Sequence, residues 1–190
     1  MTLKLLTPTI YLARHATPDW TRTDIPYHLP PGPPLVPQGE AEAAELGRFF
    51  REVGMKRIFS SPLERAKRTA EIAASIADLT VQVDEALAEW QPAEKAEDIR
   101  ARFWPAWERA SALSLQVGPV AFVTHGGPIG FFLDELGLPK DTLAYYKRTF
   151  DRNNPISPAG AWKFTRPASG EPWDLSLAFV PEAHRKKLVT

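Results

Sequence analysis

Two short apolar runs, each ending on a histidine, constrain this chain more than anything else in it. Ile10-Tyr11-Leu12-Ala13 runs into Arg14-His15, and Val120-Ala121-Phe122-Val123 runs through Thr124 into His125-Gly126-Gly127-Pro128. Near-continuous apolar runs of this length read as strands buried on both faces of an α/β sheet. Ligands in such sheets bind beyond the carboxyl ends of the strands, and both histidines fall there. The whole chain holds four histidines, so half of them occupy strand ends. Arg14 sets a permanent cation beside an imidazole that can be neutral near pH 7. A neutral imidazole can accept a phosphoryl group while a guanidinium holds the phosphate oxygens.

The rest of the chain alternates strand and helix patterns. Between Pro18 and Pro37 the prolines at 26, 30, 31, 33 and 34 dictate a long, stiff, non-repetitive loop. Tyr27 and His28 lie in it and are read as loop packing. Residues 38–54 read as an amphipathic helix with Ala43, Leu46, Phe49, Phe50 and Val53 on one face, stopped by Gly54. Residues 57–60 form a short strand. Ser61-Pro62-Leu63-Glu64 predicts a helix start with Ser61 as N-cap, Pro62 in the first position and Glu64 closing a capping box. Arg65 then sits in the first turn at the positive end of the helix dipole. A cation is unfavourable there unless an anion answers it, which marks Arg65 as a second anion ligand. This helix runs to about residue 78.

A strand over 80–83 leads to Leu87-Ala88-Glu89. The helical stretch from Glu94 to about Leu115 is expected to kink or split at Pro105, and its Phe103, Trp104 and Trp107 are assigned to packing. Pro128 opens a helix over 129–136, a further helical piece covers 141–148, and residues 160–165 and 174–179 are strands able to pair as a hairpin. The pattern predicts one α/β domain over 1–190, a three-layer α/β/α sandwich with a mainly parallel, mixed sheet.

Composition excludes several classes. With 23 basic and 23 acidic residues no global field favours nucleic acid or an anionic membrane surface, so any anion site is local. The absence of cysteine removes disulfides, thiol nucleophiles and Cys-ligated zinc. His-x-His and His-Glu-x-x-His spacings are missing, so no metal ligands are assigned. No apolar run approaches the ~18 residues of a membrane span, and residues 1–9 carry no cleavage pattern. A cytoplasmic protein with mature sequence at its N-terminus is expected. Oligomeric state is not legible.

Together these motifs resemble the histidine phosphatase superfamily, also called phosphoglycerate mutase-like. Arg14-His15-Ala16 matches the family's Arg-His-Gly. Ser60-Ser61-Pro62-Leu63-Glu64-Arg65-Ala66-Lys67-Arg68-Thr69-Ala70 matches its Ser-Ser-Pro-Leu-x-Arg-Ala-x-x-Thr-Ala. Leu87-Ala88-Glu89 matches Leu-x-Glu, and Val123-Thr124-His125-Gly126-Gly127 matches the second-histidine motif. The similarity covers roughly residues 9–165. It implies that His15 is a nucleophile forming phosphohistidine. Arg14, Arg65 and His125 would bind the transferring group with backbone N–H groups near Gly126, and Glu89 would be the proton donor. Thr21 stands where the family often has a phosphate-contacting asparagine and is expected to bind substrate through its hydroxyl. Trp90-Gln91-Pro92 departs from the family after Leu-x-Glu, leaving Glu85 and Glu94 as alternative acids. The resemblance implies a metal- and cofactor-independent phosphatase acting on a small phosphorylated metabolite. The alternatives are a mutase of the same family and an inactive binding module of the same fold.

Overall fold

The computed structural model describes residues 7–167 and 171–188. Six strands, β1 (Thr9–Arg14), β2 (Arg57–Ser60), β3 (Val81–Val83), β4 (Val120–Thr124), β5 (Ala161–Thr165) and β6 (Asp174–Phe179), form one sheet in the order β3-β2-β4-β1-β5-β6. The first four are mutually parallel where they pair. β5 runs antiparallel to β1 and forms the expected hairpin with β6. The sheet is therefore mixed.

Alternation along β1 separates the two faces. Ile10 and Leu12 point to one side with Val120 and Phe122, against α3 (Ala96–Val117) and α4 (Gly126–Glu135). Tyr11 and Ala13 point to the other with Ala121 and Val123, against α1 (Pro37–Glu52) and α2 (Glu64–Ala77). Two further helices, α5 (Lys140–Thr149) and α6 (Glu182–Arg185), complete the set. No helix among the described residues is long and apolar enough to cross a membrane.

Three local expectations need correction. The helix expected from Ser61 starts at Glu64, with Leu63 as N-cap and no side-chain cap. Glu64 is thus the first helical residue and closes no capping box. The Ser61 hydroxyl instead accepts from the nearby Leu63 N–H and meets a tertiary partner, His125 Nε2. The helix through Pro105 is not split, since α3 runs unbroken from 96 to 117. An interior proline costs about 3 kcal/mol. Phe103 and Trp107 flank it fully buried in the core, and each large side chain so buried contributes about 1.5–3 kcal/mol. Finally, α4 starts at Gly126, three residues before the expected Ile129. Pro128 falls within its first turn, where no amide proton is called for.

Candidate active site

The register β1 to β4 pairs Ala13 with Val123 and Arg14 with Thr124, so His15 and His125 leave neighbouring strands side by side. Their rings are 5.3 Å apart. His15 N–H donates to Thr124 O at 2.9 Å and Ser61 N–H to Val123 O at 3.0 Å, tying the ends of β1, β4 and β2 together. Thr124 Oγ1 donates to Leu87 O at 2.7 Å, which anchors the segment that carries Glu89. These ends open into a cavity of about 610 Å³, lined among others by Arg14, His15, Tyr27, Glu89, Gly126 and Asn154.

His15 is buried, and its Nδ1 lies 2.8 Å from Ala16 O. A carbonyl only accepts, so Nδ1 carries the proton and Nε2 presents a lone pair. Tyr27 OH lies 3.4 Å from that nitrogen. Burial, then the facing Arg65 and Arg14 guanidinium groups, hold the His15 pKa well below the ordinary imidazole range. His125 is held low in the same way, by burial first, then Arg65, His15 and Arg14.

The two arginines enter from different directions. Arg14 forks onto Asp151, Nη1 to Oδ1 at 2.8 Å and Nη2 to Oδ2 at 3.1 Å, and Nη1 also donates to Ile156 O at 3.1 Å. Burial pushes the Asp151 carboxyl up, but the Arg14 hydrogen bonds and charge bring it below its usual value. Arg65, at the start of α2, is wholly buried; its Nη1 donates to Tyr27 O at 2.9 Å and its guanidinium lies 3.9 Å over the Tyr27 ring. Arg65 Nη2 and His125 Nδ1 stand 3.8 and 3.7 Å from Glu89 Oε2, too far for hydrogen bonds.

Six buried side-chain atoms among the described residues lack any hydrogen-bond partner, and four of them are Arg14 Nε, Arg65 Nε, Arg65 Nη2 and His125 Nδ1. A buried donor without an acceptor costs about 1–3 kcal/mol. Such costs gathered at one place mark a site shaped for a ligand that carries acceptors. Glu89 accepts from Trp90 N–H at 2.9 Å through Oε1. Its pKa is raised, chiefly by burial and against the opposing pull of that N–H and of Arg65.

Gly126 packs directly against a side chain of the cavity wall. A Cβ built there would overlap the Asn154 side chain, and one on Gly127 would come within 2.9 Å of Glu89 Oε1. Of the three candidate acids, Glu89 alone lines the cavity. Glu94 pairs with Arg102 at 2.7 Å, and Glu85 lies in the 3₁₀ turn Glu85–Leu87. Thr21 is a correction. It is exposed and does not line the cavity, and its hydroxyl is held 2.6 Å from Asp19 Oδ1, a local Asx-type contact.

Several site residues escape a reading of the sequence. Asp151 meets Arg14 across 137 positions, and Asn154 comes from the same turn. Tyr27, read as loop packing, covers the Nε2 edge of His15, and its ring stacks on Trp20. The loop can do this because its ends are closed by a Pro18–Leu35 bridge and by Asp19 N–H to Pro34 O at 2.8 Å. Density of proline with interleaved aromatics was the available signal. Among the described residues, no group of three or more His, Asp or Glu side chains is placed to hold a metal ion.

The buried histidines predict an acid-sensitive fold. In the unfolded chain both imidazoles take up protons near pH 6.5, whereas in the folded chain both stay neutral to lower pH. The unfolded state then binds more protons, so stability is lost as pH falls below about 6.5. Each histidine contributes a slope of about 1.4 kcal/mol per pH unit. Glu89, with its raised pKa, works in the opposite sense over its own range. Urea midpoints measured from pH 7 to pH 5 should fall with a slope of one to two protons. His15→Gln should make that slope shallower by one proton.

The model of the histidine phosphatase superfamily (branch 1) matches residues 10–94; the match ends before His125. The probable phosphoglycerate mutases GpmB of Salmonella arizonae and Salmonella paratyphi B are each 35% identical over 80 residues, 42% of this chain. The aligned stretch spans 37% of the length of those relatives. Among solved structures, a phosphoglycerate mutase from Bacillus anthracis superposes with a TM-score of 0.74 at 16% identity, covering 97% of each chain. A mycobacterial glucosyl-3-phosphoglycerate phosphatase gives 0.69 at 20% identity, covering 92% of this chain and 99% of its own. A phosphoserine phosphatase from Entamoeba histolytica gives 0.66 at 16% identity, covering 88% and 94%. At these identities the structural likeness establishes the shared fold.

Proposed function

We propose that this chain, whose residues 10–94 match the histidine phosphatase superfamily, is a member of it and a metal-independent phosphatase that hydrolyses a small phosphomonoester through phosphohistidine at His15. One observation carries the reading. The neutral imidazole of His15 shares its site with four buried nitrogens, on Arg14, Arg65 and His125, that have no protein acceptor. A phosphoryl group supplies what both lack, an electrophilic phosphorus and a set of acceptor oxygens. Phosphoryl transfer asks for positioning and for charge stabilisation around the equatorial oxygens, and Arg14, Arg65 and His125 are arranged for that.

In the first step His15 Nε2 forms a bond to phosphorus while the P–O bond to the leaving group breaks. Glu89, whose pKa burial raises, protonates the departing oxygen. In the second step a water oxygen attacks the phosphohistidine and Glu89 takes the water proton. The P–N bond breaks, and inorganic phosphate and neutral His15 are regenerated. The side of the Arg14 guanidinium left open by Asp151, Nε–H and the remaining Nη2–H, forms a fork for two phosphoryl oxygens.

A mutase reading has its own support in the named phosphoglycerate mutase relatives. The stretch Trp90-Gln91-Pro92 after Glu89 favours hydrolysis, because the resemblance implies a distinctive run at that place in the mutases. Purified protein should release inorganic phosphate from p-nitrophenyl phosphate, and a chelator should leave the rate unchanged. With 3-phosphoglycerate, ³¹P spectra should show inorganic phosphate and no isomerised product. Isomer without phosphate release would establish the mutase. No turnover of a broad panel of phosphomonoesters, with phosphate still bound, would establish the binding module.

A further inference from the structure

Ser61 is wholly buried and its hydroxyl has two recorded neighbours. Leu63 N–H donates to Oγ at 3.3 Å, and His125 Nε2 lies 2.7 Å from Oγ. Because a backbone N–H already fills one acceptor position, the hydroxyl proton needs an acceptor of its own. Within reach, His125 Nε2 is the recorded one. If Nε2 carried the proton, Ser61 Oγ would accept twice and its O–H would be left buried without an acceptor, a costly arrangement. If Nε2 carries the lone pair, every polar atom in the cluster is satisfied except His125 Nδ1, whose proton then stands 3.7 Å from Oε2 of Glu89, a residue of the cavity wall.

We propose that Ser61 is a positioning residue that fixes His125 as the Nδ1–H tautomer, so that this proton is presented to the phosphoryl oxygens. The proposal rests on the phosphatase reading for the use made of the proton, but not for its location. A histidine orientated by the hydrogen bond at its other nitrogen is a recurrent device. Here it solves a specific problem. The opposite tautomer would aim a lone pair at the phosphoryl oxygens, turning an attractive contact into a repulsive one. The arrangement also accounts for the late start of α2. By keeping Ser61 outside the helix, the chain leaves its hydroxyl free to meet β4.

The test begins on the resting wild-type protein, which needs neither turnover nor a variant. Long-range ¹H–¹⁵N correlations of the four histidine side chains at pH 7 should show His125 Nδ1 as protonated and Nε2 as unprotonated. Titration with inorganic phosphate should shift the His125 Nδ1 resonances. Ser61→Ala should give a mixture of tautomers and lower kcat/KM for p-nitrophenyl phosphate by about 10–100-fold, the scale seen when the hydrogen-bond partner behind a functional histidine is removed. Ser61→Thr, which keeps the hydroxyl, should restore the single tautomer. Protonated Nε2 in the resting protein overturns the proposal, as does a Ser61→Ala protein with wild-type tautomer or wild-type kcat/KM. Failure to turn over any phosphomonoester, with Nδ1 protonated, would instead fault the phosphatase reading and leave the tautomer assignment standing.

Discussion

His15→Ala is expected to abolish phosphate release and covalent labelling together. The neighbouring imidazole, His125, 5.3 Å away, has Nε2 engaged by Ser61, so it is not poised to take over. The loss should be about 10⁴-fold or more in kcat, the scale on which removal of a covalent nucleophile operates. A substrate pulse followed by denaturation should leave acid-labile, base-stable phosphate on the wild-type protein and none on the variant. Label that persists in His15→Ala would remove the assignment. The arginines and His125 should still bind inorganic phosphate or vanadate in that variant, since their donors do not depend on the His15 ring.

Glu89→Gln is expected to divide substrates by leaving group. An alkyl alkoxide needs a proton as the P–O bond breaks, whereas nitrophenolate departs without one. General acid assistance is typically worth about 10²–10⁴-fold. The variant should lose kcat/KM on that scale for an alkyl phosphate and change little for p-nitrophenyl phosphate. The comparison uses kcat/KM because it reports events up to phosphoenzyme formation, before Glu89 is called on as base. For the alkyl substrate, the wild-type profile should fall on the basic side as the raised Glu89 carboxyl loses its proton. It should fall on the acid side only well below the ordinary imidazole range, where His15 takes one up. Equal losses on both substrates would dismiss Glu89 as the acid. Glu94 is then a poor substitute, because Arg102 already holds it.

What could be read from the chain alone follows from interactions local in sequence. The apolar runs before His15 and His125 specify strands, the spacing of Leu46 and Phe50 specifies a helix face, and Gly54 ends it. Each rests on backbone geometry and periodicity within a few residues. The alternation of elements was enough for a mixed sandwich, and the hairpin of β5 with β6 follows from their proximity. Local signals also misled where a tertiary partner outbid them. Ser61 carries every mark of an N-cap, yet its hydroxyl bonds to His125 across 64 positions. Pro105 carries the mark of a helix break, yet core burial of Phe103 and Trp107 holds the helix through it.

The site needed the tertiary structure for a different reason. The chain determined which chemical groups stand at strand ends and helix starts. It could not determine that β4 inserts between β1 and β2, which brings both histidines and the Arg65 helix to one cavity. Nor could it show that Asp151 takes one side of Arg14 while Thr21 turns to Asp19. Such pairings depend on strand order and on competition among partners far apart in sequence, and no local pattern encodes them. Which donors remain buried and unanswered is decided only once every other partner has been placed, and that remainder defines the candidate site.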